Sequence, residues 1–154
     1  MKILTETDNK YKEIELHVCN NALTDEVRAI VGELHEIYDV NIPGTDNKGN
    51  RHMLRRSEIL SAYSEGQKVF VLTYDGTYSV SRKLYELEKD LGDIDFIRIS
   101  KSEIINIRKI RSMDMSLTGT IKLVMKTGYK TYVSRRNVSK IKDKLTRERS
   151  EGRI

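Results

Sequence analysis

Two stretches of the chain follow one plan: a strand, a glycine turn, a return strand and an amphipathic helix. A plan used twice constrains the fold more than any other feature of the sequence. In the first copy Lys68 to Tyr74 (KVFVLTY) alternates as a strand, Asp75-Gly76 supplies a hairpin turn and Thr77 to Ser81 returns. Leu84, Leu87 and Leu91 then recur at helical spacing. In the second copy Ile121 to Lys126 (IKLVMK) is a strand, Thr127-Gly128 turns, Tyr129 to Ser134 returns, and Val138, Ile141 and Leu145 mark a helix with the same spacing. Each helix is entered through Val-Ser-Arg, so Ser81 and Ser134 are expected to cap with their hydroxyls and to leave Arg82, Arg135 and Arg136 on the first helical turn. A cation there opposes the helix dipole, so the Arg135-Arg136 pair points either to an anionic partner or simply to an exposed surface.

Between the copies, Phe96 to Ile99 alternates as a strand, Ser100, Lys101 and Ser102 form a polar break, and Ile104, Ile105, Ile107 and Ile110 must pack inward while Arg108, Lys109 and Arg111 stay in water. Many short strands with glycine turns and few helices predict a mainly antiparallel β domain over residues 46–154. Residues 1–45 read as a strand-helix α/β extension. Ile14, Leu16 and Val18 alternate from Lys10 onward, and Val27, Ile30, Val31, Leu34 and Ile37 form a helical stripe after a Thr24 cap. Asn41 to Asn50 gathers the only proline, two glycines and four Asx residues, and the domain boundary is expected within it.

Charge divides unevenly along this plan. Residues 1–45 hold 4 Lys/Arg against 9 Asp/Glu, net −5; residues 46–95 hold 8 against 9, net −1; residues 96–154 hold 16 against 5, net +11. A cationic surface of that density attracts polyanions by releasing their condensed counterions, which puts nucleic acid first among partners, with a plain solvated face as the alternative. An anionic membrane surface fits less well, because the basic segment lacks the aromatic or leucine-rich face of an interfacial helix. The 38% hydrophobic and 33% charged content suits a soluble globular chain. No apolar run nears the roughly 20 residues of a membrane span and MKILTETDNK lacks the apolar core of a signal peptide, so a cytoplasmic protein is expected. One cysteine, Cys19, and three scattered histidines, His17, His35 and His52, offer neither a disulfide nor metal-ligand spacing, and no cofactor is expected. The phosphate-loop, HExxH and GxSxG patterns are missing, as is a histidine beside a nucleophile, so an enzyme is not expected.

The string FIRISKSEIINIRKI, followed by a strand, a Thr-Gly turn and YVSRRNVSKIKDKL, resembles the LytTR family of bacterial DNA-binding domains. Phe96, Arg98, Ser102, Asn106, Ser134, Arg135 and Arg136 stand at the places of the family's two linked motifs, and SEILSAYSEGQKVFVLTYDG is similar to its opening strands and first hairpin. The likeness runs from about residue 50 to about residue 146 and leaves residues 1–45 uncovered. It implies about ten strands in three small antiparallel sheets with short helices, and a transcription regulator that bends promoter DNA. Side chains from loops enter successive major grooves, usually at direct repeats. Carried over position by position, the base readers fall on Gln67, Lys101 and Arg136, while Lys68, Arg98, Ser100, Ser102, Ser134, Arg135 and Asn137 contact the DNA backbone or support the readers. His or Arg is more usual in the family at or beside Ser100 and Lys101, and His occurs in some members where Gln67 stands, which bears on the target sequence. Physically, the planar fork of Arg136 suits O6 and N7 of guanine, Gln67 suits adenine, and Lys101 suits guanine or a phosphate. Arg98, on a strand, could instead pair with a carboxylate of the domain.

The acidic 45 residues are too few for a receiver domain, so the resemblance is to the short members of the family, which are often paired with a small membrane protein that restrains them. The segment is expected to be a homodimer contact or a docking site for such a partner, with an internal competitor for the basic face or a cover for an open sheet edge as the alternatives. Two other function classes use the same surface. An RNA-binding or ribosome-associated module would stack bases on Phe96, Tyr129 or Tyr132, and a protein-binding signalling module would show no nucleic-acid preference.

Overall fold

A computed structural model describes residues 3–10, 14–37, 40–115 and 120–150 of the chain, without the side chains of 35–37, 115 and 148–150. The chain divides into two compact units, residues 1–38 and 39–154.

Among the described residues of the first unit there is one helix, α1 (Asp25–Ile37). Thr24 caps it as expected, its hydroxyl accepting from the Val27 N–H at 3.3 Å, and Val27, Ile30, Val31 and Leu34 are half-buried along one stripe. The side chain of Ile37 lies outside the described residues. The strand expected over residues 10–18 is not found. Residues 11–13 lie outside the described residues, and among the described ones Ile14 to Val18 make no strand pairing, leaving Ile14 93% and Leu16 60% exposed. Alternation supplies an apolar face, but a strand also needs a neighbour for its backbone N–H and C=O groups.

The second unit is mainly β. Ten strands are described: β1 (Asn41–Thr45), β2 (Arg51–Arg55), β3 (Ile59–Glu65), β4 (Lys68–Thr73), β5 (Thr77–Val80), β6 (Phe96–Arg98), β7 (Glu103–Asn106), β8 (Ile110–Met115), β9 (Ile121–Met125) and β10 (Lys130–Val133). They form two antiparallel sheets, not three: one of seven strands in the order β2-β1-β5-β4-β3-β7-β6 and one of three in the order β10-β9-β8. The stretch read as a boundary loop, Asn41 to Asn50, is instead strand β1 and its turn into β2. Asp46 holds that turn by accepting from the N–H groups of Lys48 (2.9 Å) and Asn50 (2.8 Å), so the unit starts ahead of β1. Gly44 is needed in β1 for its lack of a side chain, since a Cβ there would meet Leu54 Cδ1 at 2.8 Å and Tyr78 Cβ at 2.9 Å.

Each face of the larger sheet carries part of the core. Helix α2 (Leu84–Leu91) lays Leu84, Leu87 and Leu91 on one face beside Ile104 and Phe96. On the other, Leu60 and Ile105 meet Ile121, Leu123 and Val133 of the smaller sheet, and Ile141 and Leu145 of helix α3 (Val138–Ser150) close that layer. The repeated plan is therefore real in both copies, but its helix entries differ from expectation. α2 starts at Leu84, with the Glu86 carboxylate accepting from the Lys83 N–H at 2.8 Å, while Arg82 pairs with Asp90. α3 is preceded by a 3-10 turn at Arg135–Asn137, and the Ser134 hydroxyl makes no backbone cap; it accepts from Asn137 Nδ2 at 3.1 Å. A serine caps only where the chain turns directly into the helix, and in both copies intervening residues delay that turn.

Candidate nucleic-acid interface

Three loops carry the predicted readers, and each is built by its own local chemistry. Gln67 follows Gly66 in the tight turn between β3 and β4, with Lys68 the first residue of β4, and Gly66 sits at φ 59°, a backbone region that suits glycine. Lys101 stands in the loop between β6 and β7. Arg135 and Arg136 lie in the 3-10 turn between β10 and α3.

Backbone bonds stitch these loops together at one end of the two sheets. The Ser64 N–H, at the end of β3, donates to the Ser102 carbonyl at 2.8 Å, and the Ser134 N–H donates to the Ile99 carbonyl at 2.9 Å. The β6–β7 loop thus sits between the other two. Gln67, Lys68, Lys101, Arg135 and Arg136 are all exposed there, and among the described residues their side chains have no ion-pair or hydrogen-bond partner. Exposure alone would not single them out, since Arg51, Arg55 and Arg111 are exposed elsewhere; their gathering at one end does.

Arg98 is engaged differently. It is half-buried, its Nε donates to the Ser100 carbonyl at 2.8 Å, its Nη2 donates to the Lys101 carbonyl, and its Nη1 pairs with Glu88 of α2 at 2.9 Å. One guanidinium therefore holds the loop that presents Lys101. Ser100 and Ser102 brace the same loop, the Ser100 hydroxyl accepting from the Ser102 N–H at 3.1 Å. Asn137 braces the Ser134 turn through the bond given above.

Asn106, one of the motif residues, is buried in the core. Its Nδ2 donates to the Ile59 carbonyl at 3.2 Å, where a register shift interrupts the β3–β4 pairing, and its Oδ1 accepts from the Arg108 N–H at 3.0 Å. It satisfies the backbone that a bulge leaves open.

Two groups of functional interest escaped the sequence reading. Arg56 is only 6% exposed; it donates to the Leu91 carbonyl at the C-terminus of α2 at 2.8 Å, pairs with Asp95 at 3.2 Å and lies 5.2 Å over the Phe96 ring. Burial pushes the Asp95 carboxyl up, but the bond and charge of Arg108, with Arg56, outweigh it and hold the group below the usual carboxylate range. Glu103, 8% exposed, stands directly beneath the Lys101 loop and accepts from the Thr131 hydroxyl of β10. Burial raises its pKa despite the hydroxyls of Thr131 and Tyr129, and the Tyr129 phenol is itself pushed up by burial and by the Glu103 charge. A signal was available: Glu103 shares an inward face with Ile105 in the apolar run SEIINI.

Aromatic stacking has little to work with in the basic third. Phe96 is buried, Tyr129 is half-buried beside Glu103, and only Tyr132, 59% exposed on the outer face of β10, is open.

The model of the LytTr DNA-binding domain family matches residues 49–146. The chain belongs to the LytTR family. Its match begins within the β1–β2 turn and ends in α3, so it takes in all three loops. Two relatives named as uncharacterized HTH-type transcriptional regulators of Staphylococcus aureus are each 30% identical, one over 138 residues (88% of this chain and 92% of the relative) and one over 125 residues (80% and 84%). The fold matches that of the LytTr DNA-binding domain of a Bacillus cereus regulator with a TM-score of 0.64 at 22% identity, covering 69% of this chain and 97% of that domain. This LytTR chain has no consecutive pair of helices among its described residues; α2 and α3 are separated by five strands. No helix among them is long and apolar enough to cross a membrane.

Proposed function

We propose that this LytTR protein is a sequence-specific duplex-DNA-binding transcription regulator of the cytoplasm that reads direct repeats in successive major grooves through loop side chains. The observation that carries the reading is the gathering of Gln67, Lys101 and Arg136, exposed and unpartnered, on three loops stitched by the Ser64–Ser102 and Ser134–Ile99 backbone bonds. Arg136 donates its fork to a guanine, Gln67 reads adenine, and Lys101 reads guanine or holds a phosphate. Lys68 and Arg135 contact phosphates, whereas Arg98, Ser100, Ser102, Ser134 and Asn137 support the loops. The reading contains no catalytic step. The acidic N-terminal segment, residues 1–45 in the sequence reading, supplies a homodimer contact or a dock for a small membrane protein that restrains the regulator.

Selection of sites from random duplex DNA at about physiological salt, with duplex and single-stranded RNA as competitors, tests the reading. Paired short repeats about one helical turn apart are expected. Arg136→Ala should lose roughly 1–3 kcal/mol on the selected site. Arg135→Ala should weaken all duplexes alike and flatten the salt dependence by about one unit of slope. Absence of any motif, or better competition by RNA, refutes promoter recognition by this chain. Deleting residues 1–38 should alter the oligomeric mass or the DNA affinity; a protein unchanged in both removes the role given to that segment.

A further inference from the structure

Glu103 is a carboxylate where the fold has little use for charge. Its side chain is buried, one oxygen accepting from Thr131 with the Tyr129 phenol beside the carboxylate, while its Oε1 lacks a well-formed hydrogen bond among the described residues. A buried polar atom left in that state calls for a reason. Its connections supply one. On its own strand the Glu103 carbonyl accepts from the N–H groups of Ile99 (3.0 Å) and Ser100 (3.3 Å), which closes the Lys101 loop. Across the sheet its backbone pairs with Tyr63, next to the β3–β4 turn that carries Gln67. Across the layer its carboxylate takes the hydroxyl of Thr131, three residues before Ser134 and the Arg135-Arg136 turn.

Resting on the duplex-reading interface above, we propose that Glu103 is a positioning residue that uses its carboxylate bond to Thr131 to set the spacing between the Lys101 loop and the Arg136 turn. Among the described residues one backbone bond, from Ser134 to Ile99, joins these loops, and a second, polar tie beside the apolar packing of Ile99 and Val133 fixes their spacing more closely. The Thr131 bond supplies that tie from the buried side, and burial strengthens it because no water competes for the carboxylate. Base readout is demanding of such placement, since a bidentate contact is lost with small displacements, whereas a phosphate contact by a flexible lysine is not.

The test uses the full chain with Glu103→Leu, Glu103→Gln, Thr131→Val and the Leu/Val double variant. Thr131→Val should lose about tenfold in affinity for the selected duplex, Glu103→Leu at least as much because it also takes the carboxylate from Tyr129, and the double variant no more than Glu103→Leu, in which the Thr131 bond is already gone. Affinity for random duplex and its salt slope should stay unchanged, a split that general loss of fold does not produce. Glu103→Gln keeps an acceptor for Thr131 and should bind within about threefold of the parent. Amide hydrogen exchange supplies a readout that needs no DNA: in Glu103→Leu the Ser134 N–H should exchange about tenfold faster while the β4–β5 pairs stay protected. Unaltered exchange at Ser134 overturns the proposal, as does additive loss in the double variant. If the parent protein prefers no duplex sequence, the DNA reading fails by itself and the tie between the loops is judged by exchange alone.

Discussion

Asn106→Ala separates a structural motif residue from a DNA-reading one. The side chain makes two bonds, and they are unequal. Ile59 is fully buried, so its carbonyl loses its Asn106 donor with no water to replace it, at about 1–3 kcal/mol. The Arg108 N–H is only partly buried and can find water, so that loss is smaller, about 0.5–1 kcal/mol. The variant should therefore lose about 1.5–4 kcal/mol, which for a domain of this size moves the urea midpoint down by about 1–2 M. Urea unfolding followed by circular dichroism measures it. Asn106→Asp keeps the acceptor for Arg108 but turns a second oxygen toward the Ile59 carbonyl. At neutral pH it should be at least as unstable as the alanine variant, and it should recover in part on acidification, when the protonated carboxyl can donate. A loss below about 1 kcal/mol for the alanine variant, far under the range expected for an abandoned buried carbonyl, would refute the assignment of Asn106 to the bulge.

The pH dependence of stability follows from Glu103. Its folded pKa is raised by burial above the ordinary 4.5, so the folded state holds that proton more tightly than the unfolded chain, and stability falls as pH rises from the ordinary carboxyl range through the raised value. Glu103→Gln removes this slope, and the stability difference between variant and parent should widen in favour of the variant from about pH 4 upward; parallel pH curves from chemical denaturation would contradict it. Arg56→Ala should cost about 2–4 kcal/mol by abandoning the Leu91 carbonyl and one side of Asp95, with Arg56→Lys recovering only part because an ammonium lacks the fork that reaches both. A thermal melt in which the lysine variant equals the parent would show that charge alone matters there.

Legible along the chain is the part that depends on near neighbours. The two hairpins, their glycine turns and the stripes Leu84-Leu87-Leu91 and Val138-Ile141-Leu145 were all legible, because period and turn chemistry are local. The inward Ile104, Ile105 and Ile107 against exposed Arg108 and Arg111 follow the same logic. Family motifs located the three loops without explaining them. Which motif residues face outward and which serve the core depends on long-range packing. Arg98 and Asn106 look as available as Arg136 in the sequence, but Arg98 is taken up by Glu88 and two loop carbonyls, and Asn106 by the Ile59 bulge. Pairing likewise overruled local signals in both directions. Ile14 to Val18 has the alternation of a strand but, among the described residues, no neighbouring backbone to bond, while Asn41 to Thr45, with its proline and glycine, becomes a strand because β2 and β5 lie alongside. The gathering of the loops, and Glu103 beneath them, arise from bonds between residues 28 to 38 positions apart, a separation at which sequence periodicity carries no information.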